Sequence, residues 1–344
     1  MPGCRRKILT SSAPLYPRKP MTPTCRRSVY LFTTMNNYNT SSARTIFPNR
    51  ANVFASVIIE FLTGQNCEMN NILVTGGTGV LGQHVCSQLD RAGLNFWALT
   101  RNPHPAAYFR QVAGDLLRKT SLDSALCGMN SVIHCASSGA ANPDADIAAM
   151  RNLIDAAHHD KISHIVYVSI VGIDHLTWFP YYRAKLACEE MLIESGIRWT
   201  ILRATQFHEL VAYFLGLMIR GPLMITPRGG RLQPIEANAV AEVLTRAVRE
   251  PRSGRLTDIA GPEVHSFESL AKSWQHAAHR RKMIVSLPVP DMRFRLLRSN
   301  RLYHSGCEPV GMSWGNWVRE HASELNPYIS RAQPKPANAL TAAR

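Results

Sequence analysis

No two of the eight cysteines in this 344-residue chain form a CxxC pair. Cys4, Cys25, Cys67, Cys86, Cys127, Cys135, Cys188 and Cys307 are scattered through apolar surroundings, as in a reduced, cytoplasmic protein rather than a disulfide framework. Metal-ligand spacing is lacking too. The adjacent His158 and His159 fall near the end of an expected helix, a solvent-facing place, so no metal is expected. A membrane-spanning run is missing as well: the apolar stretch 53–62 is too short for a bilayer and contains Glu60. Acidic residues are scarce, 24 against 39 Lys and Arg, for a net charge of +15. The excess is uneven. Residues 1–69 hold nine basic and two acidic residues, which leaves 30 and 22 for the other 275 positions. That remaining mild excess needs no nucleic acid to explain it and suits a pocket for an anionic cofactor.

Residues 1–69 are rich in Ser, Thr, Pro, Asn and Arg and lack periodicity until about Val53. They read as a disordered basic extension, or as sequence upstream of a true start at Met69. An organelle transit peptide is the alternative, since the stretch is Arg- and Ser-rich and poor in acids.

At Asn71-Ile-Leu-Val-Thr75 a buried strand is expected, running into Gly76-Gly77-Thr78-Gly79-Val80-Leu81-Gly82. Val80, Leu81, Val85 and Leu89 then recur at helical spacing until Gly93. Strand, glycine turn and helix form the context that a GxxGxxG pattern needs to bind a dinucleotide. Gly76 permits the tight turn, Gly79 lets the backbone approach a pyrophosphate, and Gly82 lets helix and strand pack closely. The free N–H groups of Thr78, Val80 and Leu81 at the helix start face the phosphates.

The next strand, 96–100, ends in Arg101 where NAD-selective sites place an acid. A guanidinium there suits a 2′-phosphate, so NADP is expected over NAD. After the strand 111–113 comes Asp115, a candidate for the adenine, and Thr120 is expected to cap a helix ending at Gly128. The strand 131–135 runs into Ala136-Ser137-Ser138, small residues that leave room for the cofactor ribose and nicotinamide. A helix over 144–159 and a strand over 164–170 follow, with Ser169 at the strand's C-terminal end. Pro180 then opens a helix on which Tyr181 and Lys185 stand at i and i+4. In that arrangement a nearby ammonium lowers the phenol pKa, Tyr181 exchanges a proton with a carbonyl or alcohol, Lys185 also grips the ribose, and Ser169 holds the substrate oxygen. A surface Tyr–Lys pair is the plainer alternative.

These residues resemble the short-chain dehydrogenase/reductase superfamily, and more closely its atypical, NmrA-like branch. The carrying segments are Val74-Thr75-Gly76-Gly77-Thr78-Gly79, Tyr167-Val168-Ser169-Ile170-Val171-Gly172-Ile173, Tyr181-Tyr182-Arg183-Ala184-Lys185, Trp199-Thr200-Ile201-Leu202-Arg203-Ala204-Thr205-Gln206-Phe207 and Ala260-Gly261-Pro262-Glu263. The resemblance spans about 70–325. It implies an α/β fold, a Rossmann-type doubly wound parallel sheet with a small C-terminal α/β substrate lobe. The core is expected over 70–205, the lobe with interleaved core elements over 206–325, and a flexible tail over 326–344. It leaves activity open. Some members resemble quinone or isoflavone reductases; others bind NAD(P) as redox-sensing regulators that meet a protein partner. A nucleotide-sugar epimerase is a third, weaker reading. Asn238 stands where relatives usually carry Asp and is expected to cap the helix 238–249.

Beyond the strand 198–203, the apolar segment 207–219, with His208 and Glu209 near its start, either covers an apolar substrate or is a core helix. Residues 222–234 read as a Gly/Pro-broken linker. A strand over 256–260, a helix over 266–279 capped by Ser266, a strand over 283–287 and a helix over 314–324 complete the expectation.

Overall fold

The computed structural model describes residues 70–288, 301–303 and 306–321, all within a unit spanning Cys67–Arg344. The expectations for 1–69, for 322–324 and for the tail 326–344 lie outside the described residues.

The elements, in order, are β1 (Ile72–Thr75), α1 (Val80–Arg91), β2 (Phe96–Thr100), β3 (Gln111–Ala113), α2 (Lys119–Leu126), β4 (Ser131–His134), α3 (Pro143–His159), β5 (His164–Ile170), α4 (Pro180–Glu194) and β6 (Arg198–Ala204). They continue with α5 (His208–Leu217), β7 (Ile219–Arg220), β8 (Leu223–Pro227), β9 (Arg231–Leu232), α6 (Ala237–Arg249), β10 (Gly254–Arg255) and β11 (Ile259–Ala260). β12 (His265–Ser266), α7 (Phe267–Ala277), β13 (Met283–Leu287), β14 (Glu308–Pro309) and α8 (Trp314–Glu320) follow.

One nine-stranded sheet has the order β14-β11-β6-β5-β4-β1-β2-β3, with β10 beside β6. Every pairing in it is parallel. The order reverses between β1 and β4, the place where open α/β sheets bind ligands. Helices cover both faces, so β1, β4 and β5 read as continuous apolar runs. Ile72, Val74, Val166, Val168, Leu202 and Ala204 pack toward α1 and α6, while Leu73, Val132, Ile165, Tyr167 and Ile201 pack toward α2, α3 and α4. Burial of both faces removes most of this apolar area from water, the dominant favourable term in folding.

Caps fix several boundaries. Pro143 and Pro180 sit in the first turn of α3 and α4, and Asn142 accepts the Ala145 N–H at 3.3 Å. Ser266 accepts the Ser269 N–H at 3.1 Å, as its expected cap role requires. His158 and His159 are exposed at the end of α3.

Residues beyond β6 form the smaller part. β13, β8 and β7 make a three-stranded sheet, β12 pairs with β9, and Trp274, Trp314 and Trp317 anchor a separate apolar cluster. α6, β10, β11 and β14 return to the main sheet.

Four expectations are corrected. Residues 222–234 are not a linker: they hold β8, whose partner β13 lies some 60 residues on, and β9. The strand expected over 256–260 is only β11, at its end; β10 precedes it, and the two pair in turn along the edge of β6 away from β5, β10 at Thr200–Ile201 and β11 at Ala204. Thr120 lies inside α2, which begins at Lys119 with Arg118 at the N-cap; the Ser121 hydroxyl accepts the Asp115 N–H and donates back into the same turn. Asn238 lies inside α6 and does not cap it; its side-chain oxygen accepts from the Gln88 amide at 2.9 Å and so joins α6 to α1.

Candidate functional site

The C-terminal ends of β1, β2, β4 and β5 converge on the glycine turn. Gly76 has φ +66° and lies against the Cys135–Ala136 backbone, so close that a Cβ there would be 2.7 Å from Ala136 N. A Cβ at Gly82 would stand 2.0 Å from the Gly76 carbonyl oxygen, and one at Gly79 2.9 Å from the same atom. Gly79 N–H donates to that oxygen at 2.8 Å and serves as the N-cap of α1 with no side-chain cap. The first N–H groups of α1 therefore remain for an anion at the positive end of the helix. Thr78 is exposed and Val80 half-buried at this opening, while Leu81 is buried beneath it. Backbone crowding under an open helix N-terminus fits a pyrophosphate.

A cavity of about 610 Å³ lies at the ends of β2 and β3, lined by Arg101, Asn102, Asp115, Arg118 and Ser121 among others. Asp115 is tied down: its Oδ1 accepts the Leu117 N–H at 3.0 Å. Arg118 is a second guanidinium that the sequence reading passed over. Its spacing, three residues past Asp115 in a one-turn loop, was the available signal.

Beneath the turn, Thr75 Oγ1 is 2.7 Å from His134 Nδ1 and accepts the Ala136 N–H at 3.3 Å. The His134 ring stacks on Tyr167 at 5.5 Å between centroids. Burial, with a smaller push from Lys185, takes its pKa down to about 3, so this histidine is neutral.

Tyr181 and Lys185 project to different partners. The Lys185 ammonium is only 4% exposed; it donates to the Val168 carbonyl at 3.3 Å and stands 4.7 Å over the Tyr167 ring. The Tyr181 hydroxyl is 3.2 Å from Ser137 Oγ. Ser137 donates to Asp146 at 2.6 Å, and the other Asp146 oxygen accepts the Ser138 N–H at 2.6 Å. The hydroxyl beside Tyr181 is therefore that of Ser137. Ser169 is 3% exposed within the sheet, and its Oγ has no hydrogen-bond partner among the described residues. Tyr181, Ile170, Trp178, Phe179 and Met218 are half-buried and pack against one apolar cluster, and the Tyr181 ring lies 5.6 Å from that of Tyr182.

Asp146 was also missed. It sits on the buried face of α3 with Ala149, Met150 and Leu153, and an acid on an apolar stripe was the signal. Among the described residues no group of three or more His, Cys, Asp or Glu could hold a metal ion, and no helix is long and apolar enough to cross a membrane.

Residues 76–251 match a family model described as NAD(P)H-binding. The chain is 24% identical over 231 residues to the photosystem II assembly factor Ycf39 of Cyanophora paradoxa, covering 64% of this chain and 72% of that one. It is 27% identical over 229 residues to an NAD(P)H azoreductase of Xenophilus azovorans, covering 64% and 79%. Its fold is similar to an NADPH-dependent quinone oxidoreductase from Escherichia coli complexed with NADPH, with a TM-score of 0.59 at 21% identity over 72% of this chain and 99% of that one.

Proposed function

This chain belongs to the NAD(P)H-binding family, in the NmrA-like branch of the short-chain dehydrogenase/reductase superfamily, and from that membership we propose that it is an NADP(H)-dependent oxidoreductase for a small, apolar carbonyl or quinone-like substrate. The observation that carries the reading is the Tyr181 hydroxyl, held beside Ser137 in the loop that follows β4 and lies against the glycine turn. When bound, NADP(H) supplies or accepts the hydride.

The chain's own residues divide the remaining work. Gly76, Gly79 and Gly82 with the N–H groups of Thr78, Val80 and Leu81 hold the pyrophosphate. Arg101 and Arg118 take the 2′-phosphate, and Asp115 the adenine edge. Ala136 leaves room for the ribose. Lys185 supplies positive charge at the ribose and keeps its stem packed against Tyr167. Tyr181 exchanges the proton of the substrate oxygen, with Ser137 rather than Ser169 as its hydroxyl neighbour. Ile170, Trp178 and Phe179 exclude water and favour an apolar substrate. The likeness to an azoreductase and to a quinone oxidoreductase supports such a substrate.

A second reading, an NAD(P)-binding regulator that meets a protein partner, is favoured by the likeness to the Ycf39 assembly factor. Under it, residues 1–69 act as an organelle leader instead of belonging to a cytoplasmic enzyme.

The test is a fluorescence titration of the full chain with NADPH and NADH, followed by NADPH oxidation over a quinone and ketone panel. Charge-assisted hydrogen bonds contribute about 1.5–3 kcal/mol each. Arg101 and Arg118 are exposed, so each of Arg101→Ala and Arg118→Ala is expected to weaken NADPH by about tenfold, the lower end of that range, and leave NADH unchanged. Binding without turnover on any substrate moves the conclusion to the regulator; failure to bind either nucleotide ends both readings.

A further inference from the structure

We infer that Asp146 is a positioning residue for Tyr181, acting through Ser137 and fixing the direction in which the Tyr181 hydrogen bond runs. The inference rests on the reading of Tyr181 as the acid/base, but its geometry stands apart from any turnover.

The hydrogens available to each group fix the direction. A serine hydroxyl has one hydrogen to donate and two lone pairs to offer, and a carboxylate only accepts. Ser137 spends its hydrogen on Asp146 Oδ2 at 2.6 Å. One Ser137 lone pair is taken by the Gly139 N–H at 3.1 Å. What remains for the Tyr181 hydroxyl at 3.2 Å is the other lone pair, so the phenol must be the donor. Its own oxygen lone pairs are then left for a hydroxyl of the cofactor ribose, and a carbonyl oxygen takes the phenol hydrogen only by replacing Ser137 as its acceptor. Without Asp146 the serine hydrogen is free to turn, and either direction is available to the phenol.

Asp146 is well placed to impose this order. It is 6% exposed, both of its oxygens accept short hydrogen bonds, and it lies in the first turn of α3, where the helix dipole favours negative charge. The Cys188 thiol contacts the Asp146 backbone carbonyl at 3.5 Å, which ties the first turn of α3 to α4, the helix that carries Tyr181. The two ends of the Asp146–Ser137–Tyr181 chain therefore sit on helices fixed to each other.

The experiment is infrared difference spectroscopy of the full chain carrying ring-labelled tyrosine, with the Tyr181 band isolated by subtracting Tyr181→Phe. The phenol C–O stretch distinguishes a donating from an accepting hydroxyl. In wild type it should report a donor. In Asp146→Asn, whose amide can donate to Ser137, and in Ser137→Ala the band should move, while Ser137→Thr, which keeps the hydroxyl, should hold it in place. Ser137 is exposed, so Ser137→Ala keeps the inference testable if Asp146→Asn fails to fold. An unmoved band in Asp146→Asn or in Ser137→Ala overturns the inference. Bands that move as expected in a chain without turnover uphold it and remove only the oxidoreductase reading.

Discussion

Acidification should unfold this protein well before its carboxylates titrate, because three buried histidines are held neutral. His134, His164 and His208 are 3%, 1% and 0% exposed. Burial lowers their pKa values from 6.5 to about 3, 4 and 4. The hydrogen bonds explain why charge is refused. Thr200 donates to the Arg252 carbonyl, so His164 must donate its Nε2–H to Thr200 Oγ1 at 2.8 Å. His208 Nε2 donates to the Met312 carbonyl at 3.1 Å. In both rings Nδ1 is buried with no partner among the described residues, so a second proton would find no acceptor. The pKa values are lower in the folded than in the unfolded chain. The stabilising contribution is therefore whole above about pH 6.5 and is lost as the pH falls toward 4. At pH 5 each group has lost about 2 kcal/mol, so the three together lose about 6 kcal/mol. Domains are typically stable by only about 5–15 kcal/mol. Urea unfolding followed by tryptophan fluorescence at pH 8, 6.5 and 5 measures this directly. His164→Gln should shrink the loss between pH 8 and 5 to about 4 kcal/mol by removing one of the three titrations. A stability that stays level within about 1 kcal/mol from pH 8 to 5 refutes the reasoning. Because His134 lies under the glycine turn, activity lost below pH 6 would report unfolding.

Two further outcomes follow from the same geometry. Gly82→Ala places a methyl 2.0 Å from a backbone oxygen that cannot step aside, so NADPH binding should be lost and stability should fall by about 1–3 kcal/mol; Gly315→Ala, in a helix with nothing within 4 Å, is the control and should cost nothing, with calorimetry and cofactor titration as readouts. Tyr181→Phe should lower turnover by about 10²–10⁴ while the NADPH Kd stays put, and unchanged turnover would remove Tyr181 from the acid/base role.

How much of this was legible depended on whether a feature is local in sequence. The glycine turn is a strand, four residues and a helix start, and its pattern sits within one stretch of chain. The Ser266 cap and the proline-opened helices are equally local. Asn238 misled because the capping rule was applied two positions past the true N-cap, Glu236: α6 begins at Ala237, and the amide finds Gln88, 150 positions away. The segment 222–234 misled for the reverse reason. Its prolines and glycines are real breakers, but β8 lies between them and depends on β13, a partner that no local rule can name. Likewise the buried Arg203 grips Glu189 through two nitrogens and also meets Asp174 and, through Glu189, Arg255; four elements supply that network, and none announces the others.

The serine question shows how a two-residue period could have sharpened the reading. Along β5, Val166 and Val168 face α1 and α6, whereas Ile165 and Tyr167 face α2, α3 and α4. Side chains alternate along a strand, so Ser169 must share the face of Tyr167, inside the layer beneath α4, where it lies in register with Arg203. The strand's last residue, Ile170, is then the one at the mouth, and it packs in the same cluster as Tyr181. Helix spacing misleads in a comparable way. Tyr181 and Lys185 do lie on one face of α4, but four residues advance a helix by about 6 Å along its axis, so the first side chain reaches the loop after β4 while the second reaches Val168 and Tyr167 in the layer below. With Ser169 buried inside the layer beneath α4 and Lys185 held at Val168 and Tyr167, the hydroxyl that meets Tyr181 comes from the loop after β4. There Ser137 meets Tyr181, and the charge that governs the pair comes from Asp146 on α3, between the two strands in sequence and beside both in space.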